Sequence, residues 1–158
     1  MPKRKLKKVS PVSPVKFSLN FASVRKFSFI EPKQRFDNSK TDFCEYKVYP
    51  KITFNTKKSE ILIVLIFFGF IKETSEKNLD GEALFIFKVE ELERLVYSEN
   101  EILKFINPND HNLVLSLISI SYSTLRGILF EKLKGTLYSG TLLEIINPQK
   151  LFEQRNVM

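Results

Sequence analysis

Eleven consecutive residues, Ile61 to Ile71 (ILIVLIFFGFI), are apolar at every position. A membrane-spanning helix needs roughly 18 to 20 such residues, so the run is too short to cross a bilayer. As a soluble helix it would be short and have no amphipathic stripe. Its β-branched and aromatic residues favour a strand, and a strand apolar on both faces belongs at the centre of a covered sheet. The chain must therefore supply neighbouring strands and something to lie on them.

The neighbours are legible as period-2 patterns. Val15, Phe17, Leu19 and Phe21 alternate with Lys16, Ser18 and Asn20, and Phe27 and Phe29 resume the same parity after a polar break at Ser23 and Arg25. This is the alternation of a half-buried strand, bent at the break. Pro32 ends it. Val48, Ile52 and Phe54 alternate with Lys51, Thr53 and Asn55 in a second strand, and Thr56 to Ser59 turns the chain into the apolar run. Asp80-Gly81 is a turn signal, with a fourth strand expected from Ala83 to about Val89. Connections this short leave no room for crossover helices, so the strands are expected to be mostly antiparallel.

The pattern then changes period. Asp110 stands as an N-cap before apolar residues at helical spacing (Val114, Leu117, Ile118, Leu125, Ile128, Leu129, Leu133), which predicts a helix over Leu113–Leu137, about 40 Å long. Its first part, LVLSLISISYS, also alternates, and a strand there is the competing reading. Ser116, Ser119, Ser123 and Gly127 form a stripe of small residues that would let another helix or sheet approach closely, as at an oligomer interface. Gly140 fits a helix stop, Leu142 to Ile146 an extended apolar piece, and Asn147-Pro148 the start of a last short helix carrying Leu151 and Phe152. Strands followed by helices give an α+β fold.

Little in the sequence points to catalysis. The single histidine, His111, lies at the expected helix start, and the single cysteine, Cys44, has no activating partner in view and allows no internal disulfide. One Cys and one distant His do not make a zinc site, and the five glycines form no phosphate-binding motif. No cofactor or metal is expected. Glutamates at 90, 91, 93, 99 and 101 read as a solvated face. The formal charge is +7, but Lys3, Arg4, Lys5, Lys7 and Lys8 carry five of those charges, which leaves +2 for everything after them. A nucleic-acid or anionic-membrane role would therefore rest on the tail over residues 1–8, whose phosphate binding would be unspecific and salt-dependent. The absence of a signal-peptide pattern makes a cytoplasmic location the expectation.

Taken in order from about Leu19 to Phe152, several segments resemble the SecB family of export chaperones and its toxin–antitoxin-associated relatives. LNFASVRKFSFIEPK is similar to that family's first strand, VYPKITFNT to its second and GEALFIFKVE to its fourth. STLRGILFEKLKGTLYSGTLLEIINPQKLF is similar to its long helix, the aliphatic stretch beyond and the final Pro-led helix. The resemblance implies a four-stranded antiparallel sheet packed on one face by a long helix and a short C-terminal helix. It further implies a homotetramer built as a dimer of dimers, and ATP-independent holding of unfolded polypeptides, for export or for a dedicated client such as an antitoxin. Carried over by motif, it places the client groove at Ile52, Phe54, Ile145, Ile146, Leu151 and Phe152, with Phe36 and Phe43 from the connection after the first strand.

The sequence also departs from that family. Its export members are acidic, whereas the part after the tail is about +2 here. No acidic segment follows LFEQRNVM, and the Phe-Pro pairs near Phe130 and after Gly140 are absent. These departures count against the export motor SecA as a partner. The expected organisation is a basic disordered tail over 1–14 and a single SecB-like domain over 15–158. The alternative is an accessory protein without catalysis that meets nucleic acid or a membrane surface through the tail.

Overall fold

The computed structural model describes residues 14–33, 39, 42–99, 102–106 and 110–154. Four long strands follow one another: β1 (Phe17–Phe29), β2 (Cys44–Asn55), β3 (Glu60–Ile71) and β4 (Lys77–Val89). They form one antiparallel sheet in the order β1-β4-β3-β2. The apolar run is thus a central strand, as its composition requires. A short helix α1 (Leu92–Leu95) and a small hairpin of β5 (Val96–Glu99) and β6 (Ile102–Phe105) precede the long helix α2 (His111–Lys132) and the short helix α3 (Pro148–Glu153). The fold is α+β, with the long helix and the short C-terminal helix on one face of the sheet, α2 against β3 and β4 and α3 against β2.

The core lies between sheet and helices. Ile61, Ile63, Leu65 and Phe67 of β3 and Phe85, Phe87 and Val89 of β4 are fully buried beneath Leu117, Ile118 and Leu125 of α2. LVLSLISISYS is therefore helical: Val114, Leu117, Ile118 and Tyr122 all point at the sheet, which a strand at that position could not achieve. Buried Ser121 satisfies its hydroxyl on the Leu117 carbonyl at 2.8 Å. By length and mean hydropathy (1.6) α2 could also cross a membrane, but here 44% of that window is buried inside the protein.

Several expectations give way to packing. Asp80-Gly81 is not a turn but the middle of β4; residues 72–76 make the turn, with Ser75 at φ 56°. Gly81 is required for close approach instead, since a Cβ there would stand 2.2 Å from Phe67 Cζ and 2.7 Å from the Lys26 carbonyl oxygen. Gly81→Ala is accordingly expected to lower stability by about 1–3 kcal/mol through overpacking. A urea denaturation midpoint equal to wild type would refute that account. Asp80, across from Ser28 and Phe68, is held instead by Lys26 Nζ at 2.7 Å and by the Ser28 hydroxyl.

In β1, register shifts at Leu19/Phe21 and Val24/Lys26 break the simple alternation. Phe21 pairs with Ile86 and so lies on the face opposite to Phe17 and Leu19, contrary to the reading that grouped them. The second shift returns Phe27 and Phe29 to the helix side. Neither helix reaches fully across β1, and Phe17, Leu19 and Phe29 remain 39–40% exposed.

Helix α2 stops at Lys132 and not at Leu137, and Gly135 (φ 75°), not Gly140, stands in the left-handed conformation nearest its end. The cause is Tyr138, which is fully buried with its ring 6.0 Å from those of Phe29 and Phe43 and its hydroxyl donating to the Ile30 carbonyl at 3.1 Å. A continued helix could not deliver that side chain. Asp110 occupies the N-cap position of α2 but makes no capping hydrogen bond. Asn147 does cap α3, accepting from the Gln149 amide at 2.9 Å. Glu90, Glu91, Glu93 and Glu99 are exposed. Among the described residues, finally, helices cover the sheet on one face only: on the other, Leu62, Val64, Ile66, Phe68 and Phe70 stay partly exposed.

Candidate functional site

The outward side of α2 and the chain that returns over it enclose a set of adjoining clefts. After Tyr138 the backbone from residue 141 to 147 takes no regular secondary structure and joins no strand. Side chains replace the missing ladder. Thr141 Oγ1 donates to the Tyr138 carbonyl at 2.7 Å and lies 2.6 Å from the Tyr46 hydroxyl. Arg126 Nε donates to the Leu143 carbonyl at 2.9 Å, and the Tyr122 hydroxyl to that of Glu144 at 2.7 Å. Burial pushes the Tyr122 hydroxyl up to about 12, so it remains a donor even at the alkaline pH where an exposed tyrosine ionises.

Pinned this way, the segment turns Leu143 inward and Ile145 outward. Ile145 is 88% exposed, the highest exposure of any large apolar residue described, while Ile146 is half-buried. Ile145 and Ile146 line a cleft of about 90 Å³ with Ser119, Ser123, Tyr122 and Leu151. A wider cleft of about 490 Å³ continues it along α2 past Ser116, Leu115 and Ile120, sharing Ser119 and Pro148. Another of about 360 Å³ continues it toward Tyr46 and Val48 of β2, sharing Tyr122 and Ile146. The three together make a groove along the helix, crossed by the strap at Ile146.

The residues singled out from sequence fall into separate places. Ile145, Ile146 and Leu151 come together in the groove, with Leu151 fully buried as part of its floor. Ser116, Ser119 and Ser123, read as an interface stripe, line the same groove. Gly127 continues that stripe into open space, with nothing within 4 Å of a Cβ built there. Phe152 packs edge-on against His111 at 4.4 Å between centroids. Ile52 and Phe54 are half-buried against the core, Phe54 in ring contact with Phe105, and line none of these clefts. Phe43 is buried against Tyr138. Phe36 and the tail over 1–13 lie outside the described residues. Tyr122 and Arg126, which hold the strap, were not anticipated; side-chain bonds spanning 22 and 17 residues leave no periodic trace.

Cys44 is buried at the start of β2, and burial pushes its thiol up to about 11 from 9.0. The fold thus favours the protonated thiol: its contribution to stability is fully present below about pH 9 and is lost as pH rises toward 11. Urea midpoints measured across that range should fall, and Cys44→Ala should flatten the early part of the fall; an identical profile in the variant would contradict it. Among the described residues, no group of three or more His, Cys, Asp and Glu is placed to hold a metal ion.

No protein-family model matches the chain, and no curated protein matches it in sequence. Among solved structures, a similar chain is the Mycobacterium tuberculosis Rv1957 SecB-like chaperone in complex with a ChAD peptide from the Rv1956 HigA1 antitoxin. The two are 10% identical with a TM-score of 0.46, over 74% of this chain and 78% of that one.

Proposed function

We propose that the protein is an ATP-independent holdase that keeps non-native polypeptides soluble by taking extended apolar segments into the groove along α2. The observation that carries this reading is Ile145, an isoleucine 88% exposed on a pinned strap that lines one of the adjoining clefts along α2. Burying such a side chain against a client contributes about 1.5–3 kcal/mol and asks little of the client's sequence beyond apolarity. Ser119 and Ser123 keep the floor shallow, so a client backbone can lie close to the helix. Export precursors and a dedicated client such as an antitoxin both fit this chemistry.

A holdase gains from several grooves engaging one extended chain, and the exposed inner side of β1 gives a second copy a place to bind. Phe17, Leu19 and Phe29 form an apolar strip at the sheet edge that a partner subunit would cover. We place the subunit contact there, with a dimer of dimers as the assembled form. Light scattering after size-exclusion chromatography, run with and without a chemically denatured client, tests the whole reading. The expected result is a multimer that carries the client in a joint peak, with Leu19→Glu lowering the mass. A monomer that leaves the client to aggregate would overturn it.

A further inference from the structure

The cleft between α2 and the strap has two unlike walls. Ile145 and Ile146 of the strap and Leu151 of α3 supply the apolar one, and Ser119, Ser123 and Arg126 of α2 supply the other. With 3.6 residues to a turn, positions 119, 123 and 126 fall on one stripe of the helix. The polar groups of that stripe are under-used. Ser116 and Ser121 return their hydroxyls to helix carbonyls at 2.9 and 2.8 Å, whereas those of Ser119 and Ser123 have no partner among the described residues. Arg126 commits one donor, Nε, to the Leu143 carbonyl. It makes no ion pair among the described residues, and its two terminal nitrogens stay open.

Charge around the cleft is one-sided too. Among the described residues, Arg126 is the only ionic side chain lining either this cleft or the wider one that continues it along α2. The cleft toward β2 adds Glu45 and Lys47, one of each sign. Glu144 acts on the Tyr122 hydroxyl, but it forms no ion pair with Arg126 and lines none of the three clefts. Glu153 of α3 accepts from Gln149 Nε2 at 3.0 Å, and Lys150 is exposed and lines none of them. A half-buried guanidinium with open terminal N–H groups suits a carboxylate, which it can hold through two parallel hydrogen bonds.

The two walls together select the ligand. Neighbouring side chains of an extended polypeptide point to opposite sides. An acidic residue next to an apolar one would therefore present one side chain to each wall. Further clefts adjoin this one on both sides, so a chain can enter and leave, and the carboxylate is that of an internal Asp or Glu and not of a chain end. Nucleic acid would find aliphatic Ile145, Ile146 and Leu151 where bases need rings to stack on. A fatty acid would need its alkyl chain enclosed, and the wall at Ile145 is 88% exposed. We propose that the groove prefers apolar client segments in which a carboxylate stands beside the apolar residue, with Arg126 as the side chain that reads it. This rests on the groove being the client site and adds a preference that the apolar wall alone does not give.

The test uses the full-length protein and three short peptides, acetylated and amidated, that differ only in a glutamate, glutamine or lysine between two leucines. By fluorescence anisotropy the glutamate peptide is expected to bind about three- to tenfold tighter than the glutamine one, as one partly exposed charge-assisted pair supplies, with the lysine peptide weakest. Arg126→Gln should bring the glutamate and glutamine peptides level, and Arg126→Glu should favour lysine. Arg126 also pins the strap, so overall affinity can drop in both variants. The ratio between peptides is therefore the readout, because a loosened strap would weaken all three alike. Lys150→Gln should leave that ratio unchanged. Equal binding of the glutamate and glutamine peptides, or a ratio that survives Arg126→Gln or follows Lys150, would overturn the proposal. The groove would still stand as the client site if Ile145→Asp weakened the glutamine peptide. Were no peptide to bind, or Ile145→Asp to leave the glutamine peptide unaffected, the holdase reading would fail and this inference with it. Arg126-dependent binding of dodecanoate or a thymidine oligonucleotide in place of the glutamate peptide would also overturn it.

Discussion

Ile145→Asp is expected to weaken client holding by about ten- to a hundredfold while leaving the melting temperature where it was. The stability half of that expectation follows from exposure: a side chain 88% accessible contributes almost nothing to the fold. The binding half follows from losing an apolar contact of about 1.5–3 kcal/mol and placing a charge where an apolar client must lie, and each 1.4 kcal/mol is a factor of ten. Leu142→Asp is the matched control. Leu142 is also exposed, at 47%, on the same strap, but it lines none of the three clefts. Aggregation of a denatured client, followed by turbidity at increasing chaperone ratios, separates the two. If Ile145→Asp suppresses aggregation as well as wild type, the groove is not the holding surface.

Tyr138→Ala should be the most destabilising single change, by about 3–5 kcal/mol, as for other large buried aromatics cut to alanine. The ring fills the space between Phe29 and Phe43, and the hydroxyl is one of two donors to the Ile30 carbonyl, beside Asn78 Nδ2, so truncation opens a cavity and removes one of those two hydrogen bonds. Tyr138→Phe isolates the second effect and should cost about 1 kcal/mol. Guanidinium unfolding curves for the three proteins would show whether the large step belongs to the ring. A loss below 1 kcal/mol for the alanine variant would mean that this residue does not tie the end of α2 to β1.

The strands were legible because each has a side that must be dry. Alternation located β1 and β2, and an unbroken apolar run located the central strand β3. The buried face of α2 was legible for the same reason at a different period. What stayed hidden depends on contacts between distant residues. The ring of Phe67 sets the need for glycine at 81, so the Asp80-Gly81 pair mimicked a turn. Tyr138 ends the long helix by what it packs against, not by any stop signal of its own. In α1 and the hairpin that follows it few of the described side chains are buried, Leu92 and Val96 among them, too few to set a period. The groove followed the same division. Its apolar wall at Ile145 and Ile146 could be named from the segment's likeness to a known family, whereas the bonds from Tyr122 and Arg126 that hold this wall in place could not.

The strap that joins no strand also divides the molecule by time scale. Amides of the central strands are locked in ladders on both sides and can exchange with solvent only when the whole domain opens. Among the described residues those between Leu142 and Ile146 have no such lock, and the side-chain hydrogen bonds that pin this stretch use the carbonyls of Leu143 and Glu144, so its N–H groups are expected to exchange early. A rim that can shift in this way over a scaffold that cannot would let one groove fit many sequences without disturbing what holds the protein together.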